Sequence, residues 1–96
     1  MNAVSAADVL RQLVAIPSVN PAMSDDPALR GEFRVVDWLE PWFAARGFHV
    51  ERVGRTPGRP NLLARFGAAA PKRVLLFESH LDTVGVTGFA GDPFAL

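Results

Sequence analysis

Cysteine is absent from all 96 residues, which excludes both disulfides and thiolate metal sites. Any metal held here must be held by histidine and carboxylates. Net charge is absent as well, since ten basic side chains balance ten acidic ones. That removes the electrostatic case for nucleic acid or an anionic membrane as partner. No apolar run approaches the ~20 residues that a membrane span requires. The opening Met1-Asn2-Ala3-Val4-Ser5 lacks the basic start and long apolar centre of a secretory signal. The expectation is a soluble, cytoplasmic protein. Nothing repeats internally and nothing is low in complexity. Hydrophobic residues make up 49% and charged residues 21%, a globular rather than a disordered balance. Such a length allows one small domain over 1–96, with a modest buried fraction.

What the chain does have is an apolar run, Val74-Leu75-Leu76-Phe77, leading into Glu78-Ser79-His80-Leu81-Asp82-Thr83-Val84. A glycine-rich segment follows. The pattern predicts a buried third strand that delivers a His-x-Asp pair at its C-terminal end, where ligands gather in open α/β sheets.

Ahead of that run the periodicity is helical, then alternating. Ser5 and Asp8 form a helix start, and Val9, Leu10, Leu13 and Val14 recur at helical spacing opposite Arg11 and Gln12. Pro17 ends this helix. Ile16-Pro17-Ser18-Val19-Asn20-Pro21 holds two prolines in six residues and predicts a rigid extended turn. Asp26 as N-cap and Pro27 at the first position start a second helix, from about Ala28 to Arg46. Its stripe of Phe33, Val36, Leu39 and Phe43, widened by Val35, Trp38 and Trp42, implies packing on a sheet, with both tryptophans in the core. Pro41 predicts a kink or break near Leu39, and Gly47 a stop. From Phe48 the period is two. Phe48–Val53 and Asn61–Phe66 read as antiparallel neighbours across the loop Gly54–Pro60. The fold class expected is α/β, layered, with two helices and three strands.

His80 and Asp82 are two residues apart, so an extended backbone points both side chains to one face. Three arrangements satisfy that spacing. Both groups ligate a metal, or the imidazole ligates while the carboxylate orients it, or the two form a hydrogen-bonded pair without metal. With cysteine excluded, zinc suits this donor set. Glu78 shares their parity and either faces the site or caps a sheet edge. His49 reads as a solvent-facing strand residue, Asp92 as a turn residue in Gly91-Asp92-Pro93-Phe94, and Lys72 and Arg73 as a solvated loop. No Ser-His-Asp signature or Walker-type loop is present, and Gly85, Gly88 and Gly91 do not have dinucleotide-fingerprint spacing.

Five ordered pieces carry a family resemblance. They are Ile16–Pro21; a long helix ending in Arg46-Gly47-Phe48; Arg59-Pro60-Asn61-Leu62-Leu63-Ala64; Ser79-His80-Leu81-Asp82-Thr83-Val84; and Asp92-Pro93-Phe94. Together they cover nearly the whole chain. In this order they resemble the N-terminal part of the M20 family of metallopeptidases and amidohydrolases, in its deacetylase and desuccinylase branch. Ser79 stands where many members have glycine, and Phe89 where many have tryptophan.

The resemblance implies a fold, a site and a reaction. The fold is an incomplete three-layer zinc-peptidase-like catalytic domain, its two N-terminal helices packed on a mixed sheet. His80 would be a zinc ligand of a two-metal site and Asp82 its catalytic carboxylate partner. The reaction would be hydrolysis of an amide bond of an N-acyl amino acid or small peptide, by an intact protein that forms a homodimer. The family's bridging aspartate and general-base glutamate fall beyond Leu96, so 1–96 is expected to be an N-terminal fragment of the catalytic domain, inactive alone. The competing expectation is a short α/β protein without catalysis that binds a partner or self-associates.

Overall fold

The computed structural model describes residues 4–96. Met1–Ala3, part of the stretch read above for signal character, lie outside them. The order is α1 (Ala6–Val14), a single 3-10 turn (Pro21–Met23), α2 (Phe33–Ala44), β1 (His49–Val53) and β2 (Asn61–Arg65). No helix among the described residues is long and apolar enough to cross a membrane.

The start of α1 is where the sequence puts it. The Ser5 hydroxyl accepts from the Asp8 backbone N–H at 3.1 Å and donates to the Asp8 carboxylate at 2.7 Å. Asp8 also pairs with Arg11 at 2.8 Å. A cap of this reciprocal kind satisfies backbone donors that have no partner inside the helix. The apolar stripe of α1 is only partly covered: Val9, Leu13 and Val14 are half-buried and Leu10 is exposed.

The second helix begins five residues later than expected. Asp26 does form a cap, its carboxylate accepting from Ala28 N–H at 2.9 Å. The turn closes once, through Leu29 N–H to the Asp26 carbonyl at 3.1 Å, and stops. Backbone pairing to a distant segment wins there: Val19 N–H donates to the Leu29 carbonyl at 2.9 Å, and Gly31 N–H to the Val19 carbonyl at 3.0 Å. Gly31 turns the chain with φ of 116°, a left-handed value that glycine alone adopts cheaply. From Phe33, α2 runs through Pro41 to Ala44 without the expected break. Pro41 and Asp37, one turn before it, are both exposed, so the carbonyl that loses its helical donor is free to bond water. Phe48 N–H returns to the Phe43 carbonyl at 3.2 Å around Gly47, whose φ is 86°, a glycine-dependent C-terminal closure. Arg46 donates to the Trp42 carbonyl at 2.9 Å and stacks 3.8 Å from the Trp42 ring centroid.

Strands β1 and β2 are antiparallel, from His49 opposite Arg65 to Val53 opposite Asn61. Helix α2 packs across both. Arg52 reaches from β1 to Asp37 at 2.8 Å and Glu40 at 2.7 Å on α2. Arg52 therefore points to the helix side with Phe48 and Val50, as the alternation predicts. The aromatic side chains form a row from Trp38 through Trp42, Phe43 and Phe48 to Phe66, with successive centroids 4.9 to 6.3 Å apart. Both tryptophans are half-buried and border the core; they are not inside it. The core itself is Val19, Val35 and Val36. Glu32, buried at the start of α2, binds Arg59 at 2.6 Å and fastens the loop 54–60 to the helix.

The third strand, expected over 74–84, is not formed. Val74, Leu75, Leu76 and Phe77 are 73% to 86% exposed and have no ladder. A strand persists only where a neighbour takes its N–H and C=O groups and one face is buried. Among the described residues neither outer edge of the hairpin pairs with this run, and no element covers it. Among the described residues the sheet is two-stranded and antiparallel, not mixed, and α2 is the helix packed on it.

Candidate functional site

The site forms where the proline-bounded turn meets the segment after His80. Pro17 and Pro21 hold 18–20 extended, and Ser18 and Val19 are buried. Extended backbone can pair on both edges, and this one does. Val19 bridges in parallel to Arg30 on one side and to Thr83 on the other. Thr83 N–H donates to the Ser18 carbonyl at 3.0 Å, and Asn20 N–H to the Thr83 carbonyl at 2.9 Å. Residues more than sixty positions apart are thereby set side by side. Gly85 allows the close approach that follows: a Cβ there would lie 2.9 Å from the Met23 carbonyl oxygen.

This pairing places Asn20 against Asp82. The Asn20 side-chain N–H donates to one Asp82 carboxylate oxygen at 2.7 Å. The Asn20 side-chain oxygen accepts from Ala22 N–H at 2.9 Å, where the 3-10 turn starts. Only the oxygen of an amide can accept from N–H, so the Ala22 bond fixes which end of the amide faces Asp82. That donation, foremost, holds the Asp82 carboxyl below its ordinary range, and partial burial opposes it.

His80 sits on the far side of the same carboxylate. Its Nδ1 is 2.9 Å from the Asp82 backbone carbonyl and 3.2 Å from the second carboxylate oxygen. Both groups are acceptors, so in the neutral ring Nδ1 carries the proton and Nε2 the lone pair. The ring is 85% exposed and the carboxylate 27%. Nε2 thus faces water with the electron pair that a metal takes up, and the carboxylate behind fixes the ring.

These residues fit one ligand position and the carboxylate that orients it. Among the described residues, no three His, Asp or Glu side chains come together to hold an ion. His80 and Asp82 lie in contact, one of the arrangements their spacing allows. Glu78, although of the same parity, is exposed and joins no ion pair among the described residues. His49 lies exposed on β1, opposite Arg65. Asp92 has the turn role expected of it, accepting from Phe94 N–H at 2.9 Å. Asn20 was legible only as a turn residue, and nothing in its local sequence points to Asp82.

Of two hollows, the smaller flanks this arrangement. One of about 180 Å³ lies between the end of α1 and segment 83–94, lined by Leu13, Ile16, Val84, Val86 and Phe89. A larger one of about 420 Å³ lies by the loop 54–60 and Phe33, remote from His80. Its residues carry no acid–base pair, so size does not make it the site.

Known proteins are similar to this sequence over most of its length. The chain is 40% identical over 78 residues to the acetylornithine deacetylase of Vibrio vulnificus (strain CMCP6), which covers 80% of the chain and 19% of that enzyme. It is 38% identical over 98 residues to the succinyl-diaminopimelate desuccinylase of Beijerinckia indica subsp. indica, covering 95% of the chain and 23% of the enzyme. The acetylornithine deacetylase of Pectobacterium carotovorum subsp. carotovorum is 36% identical over 102 residues, covering all of the chain and 25% of the enzyme. The chain thus spans about a fifth to a quarter of the length of these relatives. No protein-family model matches the chain, and no solved structure matches it either.

Proposed function

We propose, for a chain whose sequence is that of the M20 family, as in its deacetylase and desuccinylase relatives, that it supplies one metal-ligand position of a metal-dependent amide hydrolase. His80 is the ligand, through Nε2, and Asp82 is the carboxylate that orients the ring. The observation carrying this reading is the His80 ring fixed through Nδ1 with Nε2 open to solvent. The metal is zinc, in a two-ion site of which this chain contributes one part. When bound, zinc supplies polarisation of the amide carbonyl and acidification of the attacking water. This chain's own contribution is to hold an imidazole aimed, with a carboxylate behind its Nδ1. The substrate class is an N-acyl amino acid or small peptide, and the chain is part of a three-layer catalytic domain whose other segments would supply the neighbours that Val74–Phe77 lacks among the described residues.

One ligand does not hold zinc tightly, since catalytic zinc usually keeps three. The 96 residues alone are therefore inactive, and hydrolysis of an N-acyl amino acid by the purified chain would refute that. The site is tested by titrating cobalt(II) as a paramagnetic probe. Broadening centred on His80 and Asp82, absent in His80→Ala, is the expected result. Broadening centred on His49, or surviving His80→Ala, removes the assignment.

A second reading, association without catalysis, draws on the four consecutive apolar residues Val74–Phe77 left exposed. Unpaired apolar strands pair with other chains. Sedimentation that shows a monomer across a wide range of concentration would eliminate it.

A further inference from the structure

We infer that Asn20 is a positioning residue of this site: its side-chain amide locks the Asp82 carboxylate, and through it the His80 ring. The inference rests on the functional reading above for its purpose, and on geometry alone for its content. Asp82 has two carboxylate oxygens, and among the described residues a different side chain meets each. Asn20 donates to one at 2.7 Å, and His80 Nδ1 lies 3.2 Å from the other. A carboxylate held at one oxygen by His80 alone can still turn about both side-chain torsions, χ1 between its staggered wells and χ2 over a broad range. A second donor on the other oxygen removes that freedom, and Asn20 is where that donor comes from.

The donor itself is held from three directions. The Asn20 backbone N–H is bound to the Thr83 carbonyl at 2.9 Å, its side-chain oxygen takes Ala22 N–H at 2.9 Å, and its carbonyl takes Met23 N–H at 2.8 Å. Pro21 follows directly, fixing the backbone on the C-terminal side. The preceding residue, Val19, is completely buried. The amide is thereby preorganised before the carboxylate meets it, the support that a precise polar site requires. The turn and the His-x-Asp segment are then two halves of one device, joined by the backbone ladder at Thr83 and completed by the amide.

Two variants separate positioning from scaffolding. Asn20→Ser keeps a side-chain acceptor for the 3-10 turn but is too short to reach Asp82. Asn20→Asp keeps the acceptor at full length and removes the donor. Each is compared with the native chain by nuclear magnetic resonance at about pH 8.5, where an imidazole is neutral. In the native chain Asp82 is expected to show the β-proton couplings of a single rotamer, and His80 the nitrogen shifts of one tautomer. In Asn20→Ser, loss of the single-rotamer pattern and a gain of the Nε2–H tautomer are expected, with the Ala22 and Thr83 amide signals in place. A single rotamer and an unchanged tautomer in that variant overturn the proposal. Should serine open the turn, Asn20→Asp is judged by the same two signals. No metal enters this experiment, so failure of His80 to bind cobalt(II) would end the functional reading and leave the Asn20 result to stand or fall separately.

Discussion

Residues 33–66 and residues 74–96 differ in how they are held. In the first region each element closes on a neighbour nearby in sequence. Helix α2 returns through Gly47 to β1, β1 pairs with β2, and Arg52 ties strand to helix. In the second region the attachments are the bridge at Thr83, the Asn20–Asp82 bond and the hollow shared with the end of α1. Four large apolar residues meanwhile face water. Local closure costs little chain entropy and is specified residue by residue. The His-x-Asp segment depends on a contact across more than sixty residues, made by a turn whose conformation prolines restrict.

The comparison breaks most completely at Val19, the residue that serves both regions. It is fully buried, in the core with Val35 and Val36, and its backbone carries both bridges. Val19→Asp buries a charge without a partner. It is expected to cost roughly 3–5 kcal/mol, sufficient to unfold a small domain. Urea unfolding followed by circular dichroism measures this. A loss below about 1 kcal/mol would mean that the two regions do not share a core.

Within the first region the matching change is Phe48→Ala. Phe48 lies between Phe43 and Phe66, at 4.9 and 5.1 Å, and its removal opens the middle of the aromatic row. The expected loss is about 2–3 kcal/mol, below the full aromatic-to-alanine range because the side chain is half-buried. The Asp82 rotamer signals should persist in this variant. If they vanish along with the hairpin, the site segment depends on the hairpin and the contrast between the regions is wrong.

How much of each region the sequence shows follows from the same contrast. The cap at Ser5 and Asp8, the stop at Gly47, the antiparallel pairing of the hairpin and the helix side of Arg52 all follow from periods and turn chemistry within a few residues. That His80 and Asp82 face the same way was legible because two-residue spacing suffices, whereas the spacing left open which of three arrangements they take. The late start of α2 was not, because Val19 reaches across to capture Leu29–Gly31, and no local rule weighs that pairing against Asp26-Pro27. The exposed run is the converse case. Val74–Phe77 has every local mark of a buried strand and lacks what only other segments supply. Asn20 was missed for the same reason, its partner being at position 82.

Acid tests the contact between the regions more gently. Asp82 titrates below its ordinary range in the folded chain, chiefly through the Asn20 hydrogen bond. A carboxyl so depressed stabilises the fold above its unfolded value of about 3.9, and that contribution disappears as pH falls through the lower folded value. Asn20, Asp82 and Thr83 signals should therefore change below about pH 4, before those of β1 and β2. Loss of both sets together, with one midpoint, would show that the bond contributes no separate stability.

The smallest expected effect is at Phe77, which is 86% exposed. Ranked by hydrophobicity it equals Phe48; ranked by what it touches, it is a surface residue. Phe77→Asp should alter the unfolding free energy by less than about 0.5 kcal/mol, as surface changes do, and should lower any concentration dependence of sedimentation, because charge on an open strand opposes edge pairing. A loss near that of Phe48→Ala would mean that the run is buried in solution, against a second copy of the chain. The pair Phe48→Ala and Phe77→Asp thus asks one question of two phenylalanines: whether a residue's contacts or its composition decides what it contributes.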